Sequence, residues 1–124
     1  MSKPILFISH NRIKEGKFDE LIIYNQTALE KIKADKPRTH LMYAYLSEDN
    51  SMVSFVHLFL DAEALDLHMQ GAAERAEKAY EFMESAGMEV YGTPSDAVAE
   101  AFKQIKARGV PVTFYPQVLG GFLR

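Results

Sequence analysis

Residues 52–60 constrain the fold most, because they read as a β-strand that is apolar on both sides. Side chains alternate across a strand, so one face carries Val53, Phe55, His57 and Phe59, and the other carries Ser54, Val56, Leu58 and Leu60. A sheet that contains such a strand must be covered on both faces. Helices of one chain cover one face, and we expect a second copy of the chain to cover the other.

Hydrophobic periodicity and turn residues divide the rest of the chain into strands and helices. We expect strands at residues 5–13, 39–46, 52–60, 88–92 and 110–115, and helices at residues 18–36, 61–83 and 93–109. Asp61 and Thr93 are the expected caps of the second and third helices, because their short polar side chains accept hydrogen bonds from free helix amides. Gly71 is the expected point of a kink or split in the second helix. Gly109 ends the third helix.

This order of elements predicts an α+β fold. The first six elements follow the β-α-β-β-α-β order of the ferredoxin-like fold, in which both helices lie on one face of an antiparallel sheet. An extra C-terminal helix and strand follow. Pro111 and Pro116 lack the amide hydrogen that a sheet ladder needs, so the last strand belongs at a sheet edge or reaches another chain. A chain of 124 residues has the size of one domain, which we expect to span residues 1–124.

Composition excludes several classes of function. The net charge of -3, with both signs mixed along the chain, argues against a nucleic-acid partner. The absence of cysteine excludes disulfides, thiolate metal sites and a cysteine nucleophile. The histidines have no spacing typical of a metal site, and the N-terminal apolar run is too short for a signal peptide or a membrane span. We therefore expect a cytoplasmic protein with no metal, no membrane partner and no nucleic acid.

Residues 41–71, LMYAYLSEDNSMVSFVHLFLDAEALDLHMQG, carry a family resemblance. The second strand contains Leu-x-Tyr, the hairpin is polar, the third strand ends in an aromatic residue, and the second helix opens with Glu63-Ala64-Leu65-Asp66-x-His68. This segment resembles the antibiotic-biosynthesis-monooxygenase-like domains of the dimeric α+β barrel superfamily. The resemblance implies a homodimer in which two sheets close into a barrel, with a pocket between the sheet and the helices of each protomer. The activities known in such families are cofactor-free oxygenation of quinol-like or polyketide aromatics, ring isomerisation, haem breakdown and aldehyde removal.

The first strand bears on the haem branch of this superfamily. Asn11-Arg12-Ile13 is similar to the Asn-Arg-Leu segment of haem-degrading monooxygenases, whose asparagine contacts the active site. Those enzymes carry a tryptophan where this chain has His68, and an iron-ligating histidine in the region of Glu77. This chain has no tryptophan and no histidine there, so we expect no cofactor.

Three residues are candidates for catalysis: His57, His68 and Asn11. His57 lies between aromatic residues on an apolar strand face, and His68 lies on the inner stripe of the second helix, so either imidazole could act as a general base. A buried histidine that only hydrogen-bonds a neighbour is the simpler alternative for both. Candidate ligand-binding residues are His10, Tyr43, Phe55, Phe59 and Tyr91. Alternation places His10 and Asn11 on opposite faces of the first strand, and the sequence does not decide which face meets a pocket.

These residues favour a small-molecule enzyme. We expect a homodimer that acts on an apolar or aromatic substrate by cofactor-independent oxygenation or a proton transfer, with a histidine as base and Asn11 or Tyr43 holding an oxyanion. Two alternatives stay open. The chain could be a non-enzymatic ligand-binding or stress-related module, or a structural dimer whose pocket is filled by its own side chains.

Overall fold

The computed structural model describes residues 3–124, which form one mixed sheet with helices packed on one side. The elements are β1 (Ile5–Ile13), α1 (Phe18–Asp35), β2 (Leu41–Leu46), β3 (Met52–Phe59), α2 (Ala62–Met69), α3 (Ala72–Ala79), β4 (Met83–Tyr91), α4 (Asp96–Ala107) and β5 (Val112–Tyr115). The strand order is β2-β3-β1-β4-β5, and every neighbouring pair is antiparallel except β4 and β5. This arrangement confirms the α+β, ferredoxin-like fold with an extra C-terminal helix and strand.

Strand β3 lies inside the sheet, between β2 and β1. Its buried side faces the helices and carries Val53, Phe55, His57 and Phe59. The strand register shows which residues of β1 lie on this side of the sheet, because Phe7 is opposite His57 and Asn11 is opposite Val53. Asn11 therefore faces the helices and His10 faces away.

The side of the sheet that the helices leave uncovered is called the open face below. It carries Leu6, Ile8, His10 and Arg12 of β1, Tyr43 and Tyr45 of β2, Ser54, Val56 and Leu58 of β3, Glu89 and Tyr91 of β4, and Tyr115 of β5. Tyr43 and Tyr45 are 58% and 59% exposed there. The expectation that one chain would leave one apolar sheet face bare is therefore confirmed for this protomer.

Two separate hydrophobic clusters fill the helix side. The first lies under α2 and α4 and contains Ile5, Phe7, Phe59, Ala64, Leu65, Val90, Val98, Phe102 and Val112. The second lies under α1 and α3 and contains Leu21, Val53, Phe55, Ala79 and Met83. Gly71 separates helices α2 and α3. Helix α2 packs on the first cluster and helix α3 packs on the second.

The predicted split of the second helix at Gly71 is confirmed, whereas the prediction that this helical segment continues to residue 83 is wrong. Gln70 adopts an extended conformation and Gly71 has φ 79°, a left-handed conformation that glycine adopts without steric cost. The chain then forms α3, turns, and enters β4 at Met83, which pairs with Ile13. The strand predicted at residues 88–92 thus begins five residues earlier, at 83. Ala79 and Met83 fit one helical stripe, but only Ala79 is helical, because Met83 pairs with Ile13 of β1.

Two further boundaries test the expected caps. Asp61 caps α2 as predicted, because its carboxylate accepts a hydrogen bond from the Ala64 amide at 2.8 Å. The prediction of Thr93 as the cap of the last helix is wrong, since Ser95 accepts from the Val98 amide at 3.2 Å. Thr93 instead donates its hydroxyl hydrogen to the Pro116 carbonyl at 2.9 Å.

The other strand ends differ from their predicted positions by at most two residues. Strand β2 begins at 41 instead of 39, and β3 ends at 59 instead of 60. Strand β5 lies at a sheet edge as predicted, and Pro111 and Pro116 flank it. Both prolines thus avoid positions where a ladder amide is needed.

Candidate functional site

The fold brings His57 and His68 into contact on the helix side of the sheet. Their ring centres are 5.1 Å apart and the rings are nearly perpendicular, at 73°. His57 comes from the middle of β3 and His68 from the turn of α2 that faces the sheet, and they are 4% and 5% exposed. The two histidines proposed from sequence therefore form one buried pair.

The backbone of β1 fixes the protonation of His57. The Nδ1 atom of His57 lies 2.9 Å from the Phe7 carbonyl oxygen, which can only accept a hydrogen bond. Neutral His57 therefore carries its proton on Nδ1 and has a free lone pair on Nε2. The Phe7 ring stacks on the imidazole at 4.7 Å and holds its plane.

Both imidazoles are neutral near pH 7. Burial lowers the pKa of His57 to about 4, because the apolar surroundings disfavour the charged form. Burial likewise lowers the pKa of His68 to about 3, and positive charge on His57, Arg75 and Lys36 adds to this effect. The pair thus offers neutral hydrogen-bonding groups rather than imidazolium ions.

Two cations hold the end of α2 that carries His68. The ammonium group of Lys36 donates to the Leu67 carbonyl at 2.9 Å. The guanidinium of Arg75 donates to the Gln70 carbonyl at 2.9 Å and to the His68 carbonyl at 2.5 Å. These carbonyls lie at the negative end of the helix, where cations are stabilising. The same charges that fix His68 in position also keep it neutral.

A depression of about 280 Å³ leads from the surface to His68. Its walls are Asp35, Lys36, Pro37, Arg38, Thr39, Ala64, Leu67, His68 and Gln70. The Thr39 hydroxyl lies 2.7 Å from Nδ1 of His68, and it can donate to or accept from this nitrogen. His57 is not among the lining residues, so a ligand in this depression would meet His68 first.

Asn11 shares the helix side with the histidine pair but lies at a distance from it. It is four residues along β1 from Phe7, the partner of His57, which corresponds to about 13 Å at the usual rise of a strand. Its amide donates to the Val53 carbonyl at 3.5 Å, which is a long hydrogen bond. Ser85 of β4 is opposite Asn11, and its buried hydroxyl has no hydrogen-bond partner. No sequence signal indicated Ser85, because a bulge in β4 sets its register.

The candidate ligand-binding residues do not form one group. Phe59 contacts the pair, with its ring centre 5.1 Å from that of His68, while Phe55 belongs to the second hydrophobic cluster. His10, Tyr43 and Tyr91 lie on the open face, on the other side of the sheet.

His10 instead belongs to a polar network that the sequence did not indicate. Its Nδ1 lies 2.7 Å from the Ser54 hydroxyl, and its Nε2 lies 3.1 and 3.0 Å from the two carboxylate oxygens of Glu89. The network links β3, β1 and β4 across the open face. Ser54 and Glu89 could be found only from the strand register, since they are 44 and 79 residues from His10 in the chain.

Within the part of the chain that the structure describes, no group of three or more histidine and acidic side chains is arranged to hold a metal ion. Across residues 3–124, none of the helices combines the length and hydrophobicity needed to cross a bilayer.

The sequence matches no protein-family model and no curated protein. The fold, in contrast, is shared with solved structures. MupZ from Pseudomonas fluorescens superposes with a TM-score of 0.76 over 98% of this chain and 95% of that chain, at 16% sequence identity. SnoaB, a cofactor-independent oxygenase from Streptomyces nogalater, gives a TM-score of 0.59 over 76% of this chain and 96% of its own, at 13% identity.

A protein from Bacteroides thetaiotaomicron that is named as an antibiotic biosynthesis monooxygenase gives a TM-score of 0.57. It covers 71% of this chain and 85% of its own, at 15% identity. The chain therefore shares its α+β fold with these solved structures. Since one fold carries many reactions, this likeness fixes the architecture and leaves the chemistry to the site.

Proposed function

We propose that the chain is an enzyme that removes a proton from a small, largely apolar molecule, with the His57–His68 pair as its catalytic centre. The observation that carries this proposal is the contact of two buried neutral imidazoles, one of which lines a depression open to the surface. Buried imidazoles with a free lone pair beside an apolar wall are suited to accept a proton from a bound substrate.

The proposed reaction is cofactor-independent oxygenation. His57 Nε2, whose availability is set by the Phe7 carbonyl, or His68 takes the proton of a phenol-like or enol-like substrate. The resulting anion gives electrons to dioxygen and forms a carbon–oxygen bond, which yields a hydroperoxide once the proton returns from the imidazole. The hydroperoxide loses water to leave a quinone-type carbonyl, so the substrate is oxidised and dioxygen is reduced with no other reductant. SnoaB, which is described as a cofactor-independent oxygenase, has the same fold and supports this choice among proton-transfer reactions. Ala64 and Leu67 line the depression beside His68 and supply apolar contacts for the substrate.

The proposed role of Asn11 depends on the length of the substrate. Because Asn11 lies about 13 Å along the strand from the position opposite His57, it reaches only an elongated molecule with a polar group at its far end. Its buried amide, with one long hydrogen bond, is available for such a group.

Substitution of each histidine tests the catalytic role. Oxygen uptake would be measured with a panel of phenols and quinols for the wild type, His57→Gln, His68→Gln and the exposed control His40→Gln. We expect turnover to fall at least a hundredfold in the first two variants, since loss of a general base typically costs 10²–10⁴-fold. The control should keep full turnover. Wild-type rates in both His57→Gln and His68→Gln would contradict the proposal.

A second candidate function is a ligand-binding module without turnover. The low pKa values favour it, because a group with a pKa of about 4 is a weak base at pH 7. Its protonation at pH 7 costs roughly 4 kcal/mol, which an enzyme must recover by pairing the imidazolium with the substrate anion. A binding module predicts that the two glutamine variants change ligand affinity while no compound in the panel is consumed.

We further propose that the working form is a cytoplasmic homodimer that buries the open face. Several large apolar side chains are exposed on this face, including Leu6, Tyr43 and Tyr45. Three polar side chains of the face satisfy one another, because His10 uses both ring nitrogens on Ser54 and Glu89. Mutual satisfaction of this kind is what burial against another protein surface requires.

A further inference from the structure

We propose that the C-terminal segment of each chain, residues 116–124, packs on the open face of a second copy. This segment is called the arm below. The inference rests on the homodimer proposed above and is independent of the proposed chemistry at the histidine pair. It adds to the sheet-to-sheet contact a second contact, made by a part of the chain outside the sheet.

The arm presents apolar side chains that its own protomer does not cover. Leu119 is 104% exposed and Phe122 is 86% exposed, and Val118 and Leu123 are also exposed. Four large apolar side chains within nine residues are unusual for a solvated tail, which is normally small and polar. An exposed apolar segment of this density indicates a binding partner.

The open face and the arm are two uncovered apolar surfaces of one molecule. In a homodimer each copy supplies both, so contact between the arm of one copy and the open face of the other covers both surfaces in both copies. A partner of different sequence would have to cover the two surfaces separately. A second copy of the chain is therefore the occupant that the structure favours.

The geometry of the arm permits this contact. It begins directly after Tyr115, whose ring stacks on Tyr91 at 4.7 Å on the open face. Facing sheets pack about 10 Å apart, and a five-stranded sheet is about 19 Å wide. Nine extended residues span up to about 30 Å, so the arm can reach the facing sheet and cross most of it. Gly120 and Gly121 provide a point at which the arm can bend.

Truncation measures the contribution of the arm to association. The dissociation constant of the dimer would be determined by sedimentation for the wild type, for a chain that ends at Pro116, and for the double variant Leu119→Ser, Phe122→Ser. We expect both changes to weaken the dimer at least tenfold, because burial of two large apolar side chains contributes several kcal/mol. Gln117→Ser is the matched control within the arm and should leave association unchanged. Equal dissociation constants for all four proteins would overturn the inference.

Photochemical cross-linking locates the surface on which the arm lies. Because the chain has no cysteine, Leu119→Cys gives a single attachment site for a benzophenone cross-linker. Isotopically heavy and light chains are mixed, so that a heavy–light product proves contact between two copies. We expect heavy–light cross-links to peptides that contain Leu6, Tyr43 or Tyr45. The control Glu30→Cys, on the exposed side of α1, should give none on the open face.

Cross-links within one chain only, cross-links to the helix side only, or a monomer at every concentration would each overturn the inference. Its failure is distinguishable from failure of the proposed chemistry. Loss of the heavy–light cross-links says nothing against the histidine pair, and unchanged turnover in the histidine variants says nothing against the arm.

Discussion

A single carbonyl group decides which nitrogen of His57 is free. The Phe7 carbonyl holds the proton on Nδ1, and stacking on the Phe7 ring holds the imidazole plane. A side chain restrained at both its nitrogen and its face has little rotational freedom, so it costs little entropy to present Nε2 to a ligand. The same restraint would serve a purely structural histidine equally well, which is why the glutamine variants are the decisive comparison at this scale.

The low pKa of His57 predicts how stability depends on pH. His57 has its ordinary pKa of 6.5 in the unfolded chain and a pKa of about 4 in the folded chain. The unfolded state therefore binds a proton more readily, and the stabilisation is complete above pH 6.5 and is lost as the pH falls to about 4. The difference corresponds to roughly 3 kcal/mol.

Urea unfolding at a series of pH values measures this effect. We expect the free energy of unfolding of the wild type to fall steeply between pH 6.5 and 4. His57→Gln should show a shallower decrease, since the amide does not titrate. A wild-type decrease no steeper than that of the variant would show that folding does not lower the pKa of His57.

At the scale of elements, the position of His68 depends on the C-terminus of α2. Helix α2 has eight residues, too few for stability on its own. Its last carbonyls are bound by Lys36, which directly follows α1, and by Arg75 of α3. Arg75 comes from the element that follows the break at Gly71. The break therefore turns the chain so that α3 supports the end of α2 instead of extending it.

Removal of the Arg75 charge should both destabilise the fold and raise the pKa of His68. Arg75→Met keeps most of the side-chain volume but leaves two carbonyls without donors, which costs about 1–3 kcal/mol. The positive charge of Arg75 is one cause of the low pKa of His68, so its loss favours the imidazolium form. Denaturant unfolding and histidine NMR titration measure the two effects. Lys103→Met, an exposed change on α4, is the control, and a variant that matches it in both readouts would contradict this role of Arg75.

An element could be predicted from sequence where its hydrophobic pattern fits only a helix or only a strand. It could not be predicted where the pattern fits both. The alternation in β3 fits only a strand and the stripe of α1 fits only a helix, so their positions and types are correct. Met83 fits the end of a helical stripe and the start of a strand equally well, and its pairing with Ile13 of β1 decides between them. The histidine pair was predictable because both residues lie on inward-facing stripes. The network of His10, Ser54 and Glu89 was not, because it depends on the register of three strands.

At the scale of the whole molecule, the apolar surface is divided unevenly. The helices cover one side of the sheet completely enough to bury two clusters, while the open face and the arm have no cover within the protomer. A solvated monomer with this much exposed apolar surface would tend to aggregate. The proposed association of two copies through the open face would remove this liability.

The molecular mass in solution tests this account most directly. Light scattering combined with size-exclusion chromatography would be performed on the wild type and on Val56→Glu, which places a charge in the middle of the open face. We expect the wild type to have twice the chain mass of 14.0 kDa down to low micromolar concentration, and the variant to shift toward a single chain. A wild type that stays at 14.0 kDa at every concentration, without aggregation, would contradict the claim that a second copy covers the open face.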